Sequence, residues 1–68
     1  MILSQPQEVR QKFAEQLELL TIQDIADHLQ SGHRTIKAAL DGAPVRAATV
    51  RKIAKALQVK ATDIARFN

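Results

Sequence analysis

The side chains that could do chemistry in this chain are mostly cations, and they are unevenly distributed. Residues 31–68 hold eight lysine and arginine residues against two aspartates, a net charge of +6, whereas residues 1–30 hold two cations against five acids, a net charge of −3. A basic half of this kind is the electrostatic footprint of a protein that binds a polyanion. The alternative interpretation is a solvated basic surface without a partner.

Other kinds of site find little support in the composition. The chain has no cysteine, which excludes disulfides and thiolate metal sites. Asp24 and His28 have a helical i, i+4 spacing that can hold a metal ion, but no third ligand stands near them in sequence. No nucleophile–base arrangement and no phosphate-binding glycine loop occurs. We therefore expect no enzymatic activity, no cofactor and no metal.

The hydropathy pattern predicts a protein that stays in the cytoplasm and has no membrane partner. No apolar run approaches the ~20 residues that a membrane-spanning helix needs. Met1-Ile2-Leu3 leads directly into a polar stretch, unlike a secretory signal peptide.

The elements that must position the cations centre on residues 20–42, which predict two short helices joined by a tight turn. Thr21 is the expected N-cap of the first, with Asp24 three residues later near the unpaired amides of the first turn. Ser31-Gly32 interrupts the helical spacing, and Gly42 stands where the second helix should end. The apolar positions with helical spacing are Ile22, Ile25, Ala26 and Leu29, then Ile36, Ala39 and Leu40.

The rest of the chain is predicted to be helical as well, with no strand pattern. The expected elements are helix 1 over about 5–18, a turn at 41–44, helix 4 over about 47–58 and a last short helix over 63–67. Helix 1 should bury Val9, Phe13, Leu17 and Leu20, and the last helix should have Ile64 and Phe67 on one side. Residues 1–68 are therefore predicted to form a single all-α domain of five helices.

The spacing of Ile25-Ala26, Leu29 and Ile36 resembles the helix-turn-helix of the lambda-repressor-like (Cro/repressor) family. Residues 49–59, followed by Thr62-Asp63-Ile64, are similar to the fourth helix of that family and its exit to the fifth, so the resemblance covers roughly residues 19–65. It implies a compact five-helix DNA-binding domain in which helix 3 enters the major groove of double-stranded DNA.

The chain departs from the family pattern in three places: the turn, the start of helix 2 and the end of helix 4. Gln30 and Ser31 stand where the family has glycine and an apolar residue, which leaves the start of helix 3 open by one or two residues. Gln23 stands one place after the family's phosphate-contacting glutamine, whose position is taken by Ile22. Gln58 replaces the glycine that usually follows helix 4.

The resemblance also implies which side chains would contact DNA. The expected base contacts are His33, Arg34, Lys37 and Ala38 on helix 3. Arg34 suits guanine O6 and N7, and Ala38 suits a thymine methyl. The expected phosphate contacts are Thr21, Gln23, Thr35, Arg46, Thr49 and Arg51. Lys52 and Lys55 are weaker candidates, because they could lie on the far side of helix 4.

The function expected from this resemblance is that of a dimeric, Cro- or repressor-like transcriptional regulator, bacterial or phage-encoded, that binds a palindromic operator. The alternative is an antitoxin-like or phage accessory protein whose main partner is another protein, such as a toxin or a regulator. Two segments compete for the homodimer surface, the C-terminal one with Ile64 and Phe67 and the N-terminal Met1-Ile2-Leu3. For Phe67 the alternative is packing on its own core.

Overall fold

A computed structural model describes residues 1–67 and is mostly helical. Within that range the chain forms five helices and two short strands. In chain order they are β1 (Ile2–Leu3), α1 (Pro6–Leu17), α2 (Ile22–Leu29), α3 (His33–Leu40), α4 (Ala47–Ala56), α5 (Ala61–Ile64) and β2 (Ala65–Arg66). The Cα radius of gyration is 10.3 Å, close to the ~11 Å that a compact chain of this length should have.

A two-stranded antiparallel ladder joins the two ends of the described chain. Ile2 pairs with Arg66 and Leu3 with Ala65. The expectation that the chain would contain no strand is therefore wrong, and so is that of a helix over residues 63–67, because α5 ends at Ile64 and β2 follows it. Two-residue strands are too short to produce a period-two pattern in sequence, and a contact between distant residues forms them.

The core confirms most of the apolar pattern. Phe13 is fully buried, as predicted, and the largest other buried side chains come from several elements: Leu3, Ile25, Ile36, Val50 and Ile53. Leu3 is only 2% exposed, because its strand turns that side chain inward. It therefore packs within its own chain and is not available at a dimer surface, whereas Ile2 is half-buried.

Two apolar side chains that the sequence placed on helix faces lie exposed. Leu20 is 67% exposed, because α1 ends at Leu17 and Glu18 adopts a left-handed conformation (φ 57°) that ends the helical spacing. Phe67 is 82% exposed, because it follows a strand instead of ending a helix. The expected packing of Phe67 beside Ile64, or on its own core, is therefore not found.

The bounds and caps of the two helices at the centre of the chain agree closely with those predicted. The backbone N–H of Asp24 donates to Thr21 Oγ1 at 3.1 Å, so Thr21 caps α2. The connection to α3 consists of Gln30, Ser31 and Gly32, with Gly32 as N-cap, so α3 starts at His33. Gly42 follows α3 in a left-handed conformation (φ 84°), which confirms its predicted role as a stop.

The N-terminal strand also braces the segment that leads into α4. The backbone N–H of Val45 donates to the Met1 carbonyl at 2.8 Å. This contact ties the segment before α4 to the N-terminal end of the chain. α4 then runs to Ala56, two residues short of the predicted end, because Leu57 and Gln58 form its terminal turn.

Candidate nucleic-acid interface

An open groove of about 700 Å³ lies between the α2–α3 connection, α3 and the start of α4. Local interactions fix the first two elements, since Thr21 caps α2 and Gly32 is the N-cap of α3. The segment before α4 is held by a long-range hydrogen bond between Val45 and Met1. The groove is lined by Gln30, Ser31, Gly32, Arg34, Thr35, Ala38, Pro44, Val45, Arg46, Ala48, Thr49 and Lys52.

The electrostatic character of this groove is one-sided. Its lining includes three cations, Arg34, Arg46 and Lys52, and no acidic residue. In the described part of the chain the one ion pair joins Lys37 to Asp41 outside the groove, so none of the three cations is neutralised by an acidic partner. Close like charges repel one another, and a bound anion would remove that repulsion.

Hydroxyl groups supplement the cations along the same surface. Ser31, Thr35 and Thr49 all line the groove. Thr49 is only 9% exposed and so forms part of the floor, whereas Thr35 is exposed on α3. Hydroxyls donate to phosphate oxygens, so the groove combines charge with neutral donors.

The residues expected to contact bases divide into two groups. Arg34 and Ala38, one helical turn apart, lie on the groove side of α3. His33 and Lys37 are exposed beside it but do not line the groove. Lys37 Nζ lies 2.6 Å from Asp41 Oδ2, and both side chains are more than half exposed, so this pair contributes well under about 1 kcal/mol.

The two candidates at the start of α2 are exposed but lie outside the groove. The Thr21 hydroxyl accepts its cap hydrogen bond and still has a proton to donate. Gln23 Nε2 donates to Asp27 Oδ1 at 2.9 Å, which uses one of its two amide hydrogens.

The cation that α4 itself contributes to the groove is Lys52 and not Arg51. Of the two arginines expected to contact phosphates, Arg46 stands directly before the helix and lines the groove, whereas Arg51 does not line it. Lys52, a weaker candidate than Arg51 from the sequence, does line the groove. Lys55 does not line the groove; it lies together with Lys52 beside His28 and Leu29. Helical spacing shows which positions of α4 point inward, but not which flank of the helix adjoins α3.

Ser31 is a second residue that sequence reasoning missed. Lys52 Nζ donates to Ser31 Oγ at 3.3 Å, which links the α2–α3 connection to α4. The two residues are 21 positions apart, so no local pattern could have indicated the contact. The Ser31 backbone N–H also donates to the Ala26 carbonyl at 3.0 Å, and this holds the turn against the end of α2.

The part of the chain that the structure describes offers neither a metal site nor a membrane-spanning helix. No three histidine, cysteine, aspartate or glutamate side chains there lie together in a way that could hold a metal ion. Among the helices within residues 1–67, none has both the length and the apolar composition needed to cross a membrane.

Comparison with known proteins adds no relative to this picture. The chain matches no protein-family model, no curated protein and no solved structure. Its function must therefore be inferred from its own residues and their arrangement.

Proposed function

We propose that the protein is a sequence-specific regulator of transcription that binds double-stranded DNA through α3 and the adjoining groove. The observation that carries the proposal is the groove itself, in which three unneutralised cations stand beside the exposed side of α3. α2 and α3, joined by three residues, have the order and connection length of a helix-turn-helix. In such a pair the second helix enters the major groove.

In this proposal α3 reads the bases. Arg34 binds guanine O6 and N7 with two hydrogen bonds, and Ala38 contacts a thymine methyl. His33, at the first position of α3, donates to a base or a phosphate. Lys37 reaches DNA by leaving Asp41, at small cost because their ion pair is exposed.

The backbone contacts surround this helix and set its register on the duplex. Arg46 and Thr35 meet phosphates from the groove, with Thr49 beneath them. Thr21 and Gln23 meet another phosphate from the start of α2, and Arg51 meets one beyond the groove. The protein acts as a two-fold dimer in the cytoplasm of a bacterium, encoded there or by a phage, and blocks polymerase by occupying a palindromic operator.

The test is a selection of bound sequences from random DNA duplexes, run at two salt concentrations. We expect enrichment of a two-fold symmetric site whose half-sites lie one helical turn apart, because a dimer presents two α3 helices to successive major grooves. Binding should weaken steeply as salt rises, since phosphate contacts release counterions. Recovery of random sequence, with binding lost at physiological salt, would contradict the proposal.

A second candidate function is binding of a protein partner, as in an antitoxin or a phage accessory protein. It is favoured by the exposure of two large apolar side chains, Leu20 and Phe67, which lie outside the DNA-facing groove. Tight binding of a partner protein, combined with weak and unspecific DNA binding, would favour this candidate over the first.

A further inference from the structure

We infer that the groove binds the phosphodiester backbone of DNA, and that Lys52 donates to one of its phosphate groups there. The inference rests on the proposed function and deepens it. It assigns a phosphate contact to Lys52, which the sequence made only a weaker candidate, and a supporting role to Ser31, which the sequence pattern did not indicate.

The position of Lys52 is the first argument. Its side chain is exposed on the groove side of α4, and its ammonium nitrogen reaches across to Ser31 Oγ at 3.3 Å. That nitrogen therefore lies at the α2–α3 connection, close to where α3 begins. An ammonium group has three donors, so it can keep the Ser31 contact and still donate to a phosphate oxygen.

The surroundings of that nitrogen are the second argument. Arg34 and Arg46 line the same groove, and no acidic side chain lines it. A neutral ligand would leave the three charges uncompensated, and a carboxylate-bearing peptide would not make use of the adjoining base-reading face of α3. A backbone phosphate satisfies both requirements, since it is anionic and lies beside the major groove that α3 enters.

Ser31 has a positioning role in this arrangement. Its backbone N–H donates to the Ala26 carbonyl, and its hydroxyl oxygen accepts a hydrogen bond from the Lys52 ammonium group. Ser31 therefore holds the Lys52 ammonium group near the start of α3. The serine itself is uncharged and neutralises no phosphate. Loss of the hydroxyl should loosen the lysine but leave the number of neutralised phosphates unchanged.

The experiment measures the affinity of the whole chain for a random-sequence duplex between 50 and 200 mM salt, for the native protein and three variants. Each phosphate neutralised contributes about −0.9 to the slope of log Kobs against log salt concentration. We expect Lys52→Gln to reduce the steepness of that slope by roughly 0.9, which makes the loss of affinity over this salt range about threefold smaller. The matched control is Lys55→Gln, which removes the same charge from the same helix at a residue that does not line the groove.

Lys55→Gln should change the slope by less than half as much, and Ser31→Ala should leave it unchanged while lowering affinity at every salt concentration. Equal effects of Lys52→Gln and Lys55→Gln would mean that only net charge matters, and would overturn the inference. So would an unchanged slope in Lys52→Gln. Circular dichroism of each variant verifies that the helices are retained.

A second measurement separates this inference from the proposed function. Inorganic phosphate is titrated into the protein at low ionic strength, and the backbone amide NMR signals of Ser31, Gly32 and Thr35 are followed. If DNA binding fails but phosphate shifts these signals in the native chain and not in Lys52→Gln, the groove is an anion site and the proposed function is wrong. If phosphate does not shift these signals in the native chain, the inference that the groove binds a phosphate group is wrong.

Discussion

Arg34 is the residue on which sequence recognition depends most directly in the proposed function. It stands at the second position of α3, is exposed, and lines the groove without an acidic partner among the described residues. Arginine at such a position can form two parallel hydrogen bonds with guanine, which lysine and shorter side chains cannot reproduce. The identity of this side chain should therefore affect base preference and not only affinity.

For Arg34→Ala we expect a loss of ~1–3 kcal/mol in binding to the selected site and a relaxed preference at one base pair. The loss on random DNA should be smaller, because there the arginine neutralises at most a phosphate. Arg10→Ala is the matched control, since Arg10 is exposed on α1 outside the groove. Equal losses of Arg34→Ala on the selected and the random duplex would contradict the base contact.

At the scale of elements, four helices end with a left-handed residue, and three of them, α2, α3 and α4, share one hydrogen-bond pattern. The residues after α2, α3 and α4 adopt left-handed conformations: Gln30, Gly42 and Gln58. The next backbone N–H in each case donates to a carbonyl five residues earlier, as in the bond from Val59 to Ala54 at 3.0 Å. Glycine adopts this conformation without steric cost, but glutamine does not.

Gln58→Gly is therefore expected to raise the free energy of unfolding by about 0.5–1 kcal/mol. The substitution removes the ~1–2 kcal/mol cost of a left-handed side-chain residue and adds the ~0.4–1 kcal/mol entropic cost of glycine in the unfolded chain. Gln16→Gly is the control, because Gln16 lies inside the right-handed α1 and should lose about 0.5–1 kcal/mol. Urea denaturation of both variants measures the difference; destabilisation by Gln58→Gly would contradict the assigned strain.

At the scale of the whole molecule, the basic groove and the exposed apolar side chains lie on different parts of the surface. Leu20 and Phe67 do not line the groove, so an interface built on either one would leave α3 available to DNA. A single domain of this size would make few contacts with DNA, and a second copy in a dimer would double their number. This separation is compatible with both the homodimer and the alternative protein partner.

We expect the protein to dimerise in solution and Phe67→Ser to shift it toward monomer, because Phe67 exposes the largest apolar side chain at the C-terminal strand. Leu20→Ser makes the same change in polarity at the other exposed site and should leave the dimer intact. Sedimentation equilibrium measures both. A native chain that stays monomeric into the millimolar range would contradict the dimer, and dissociation by Leu20→Ser alone would move the interface to the α1–α2 corner.

What the sequence determined by itself was the local part of the structure. The cap at Thr21 and the stop at Gly42 depend on local interactions. The inward-facing positions of Phe13, Ile25 and Ile36 follow from helical spacing, although their burial needs the other helices. Arg34, Ala38, Thr35, Arg46 and Thr49, all proposed from the sequence, share the groove. The division of charge was likewise readable before any fold was known.

Only the tertiary structure decided what depends on contacts between distant residues. The pairing of Leu3 with Ala65 forms a two-residue strand, which is too short to give a pattern in the sequence. Phe67 follows that strand and is exposed to solvent. The packing of α4 against α3 placed Lys52, not Arg51, in the groove beside Ser31. The apolar spacing of a helix shows which of its faces is buried. Which other helix lies beside each flank depends on how the helices pack together, and the spacing within one helix does not show that.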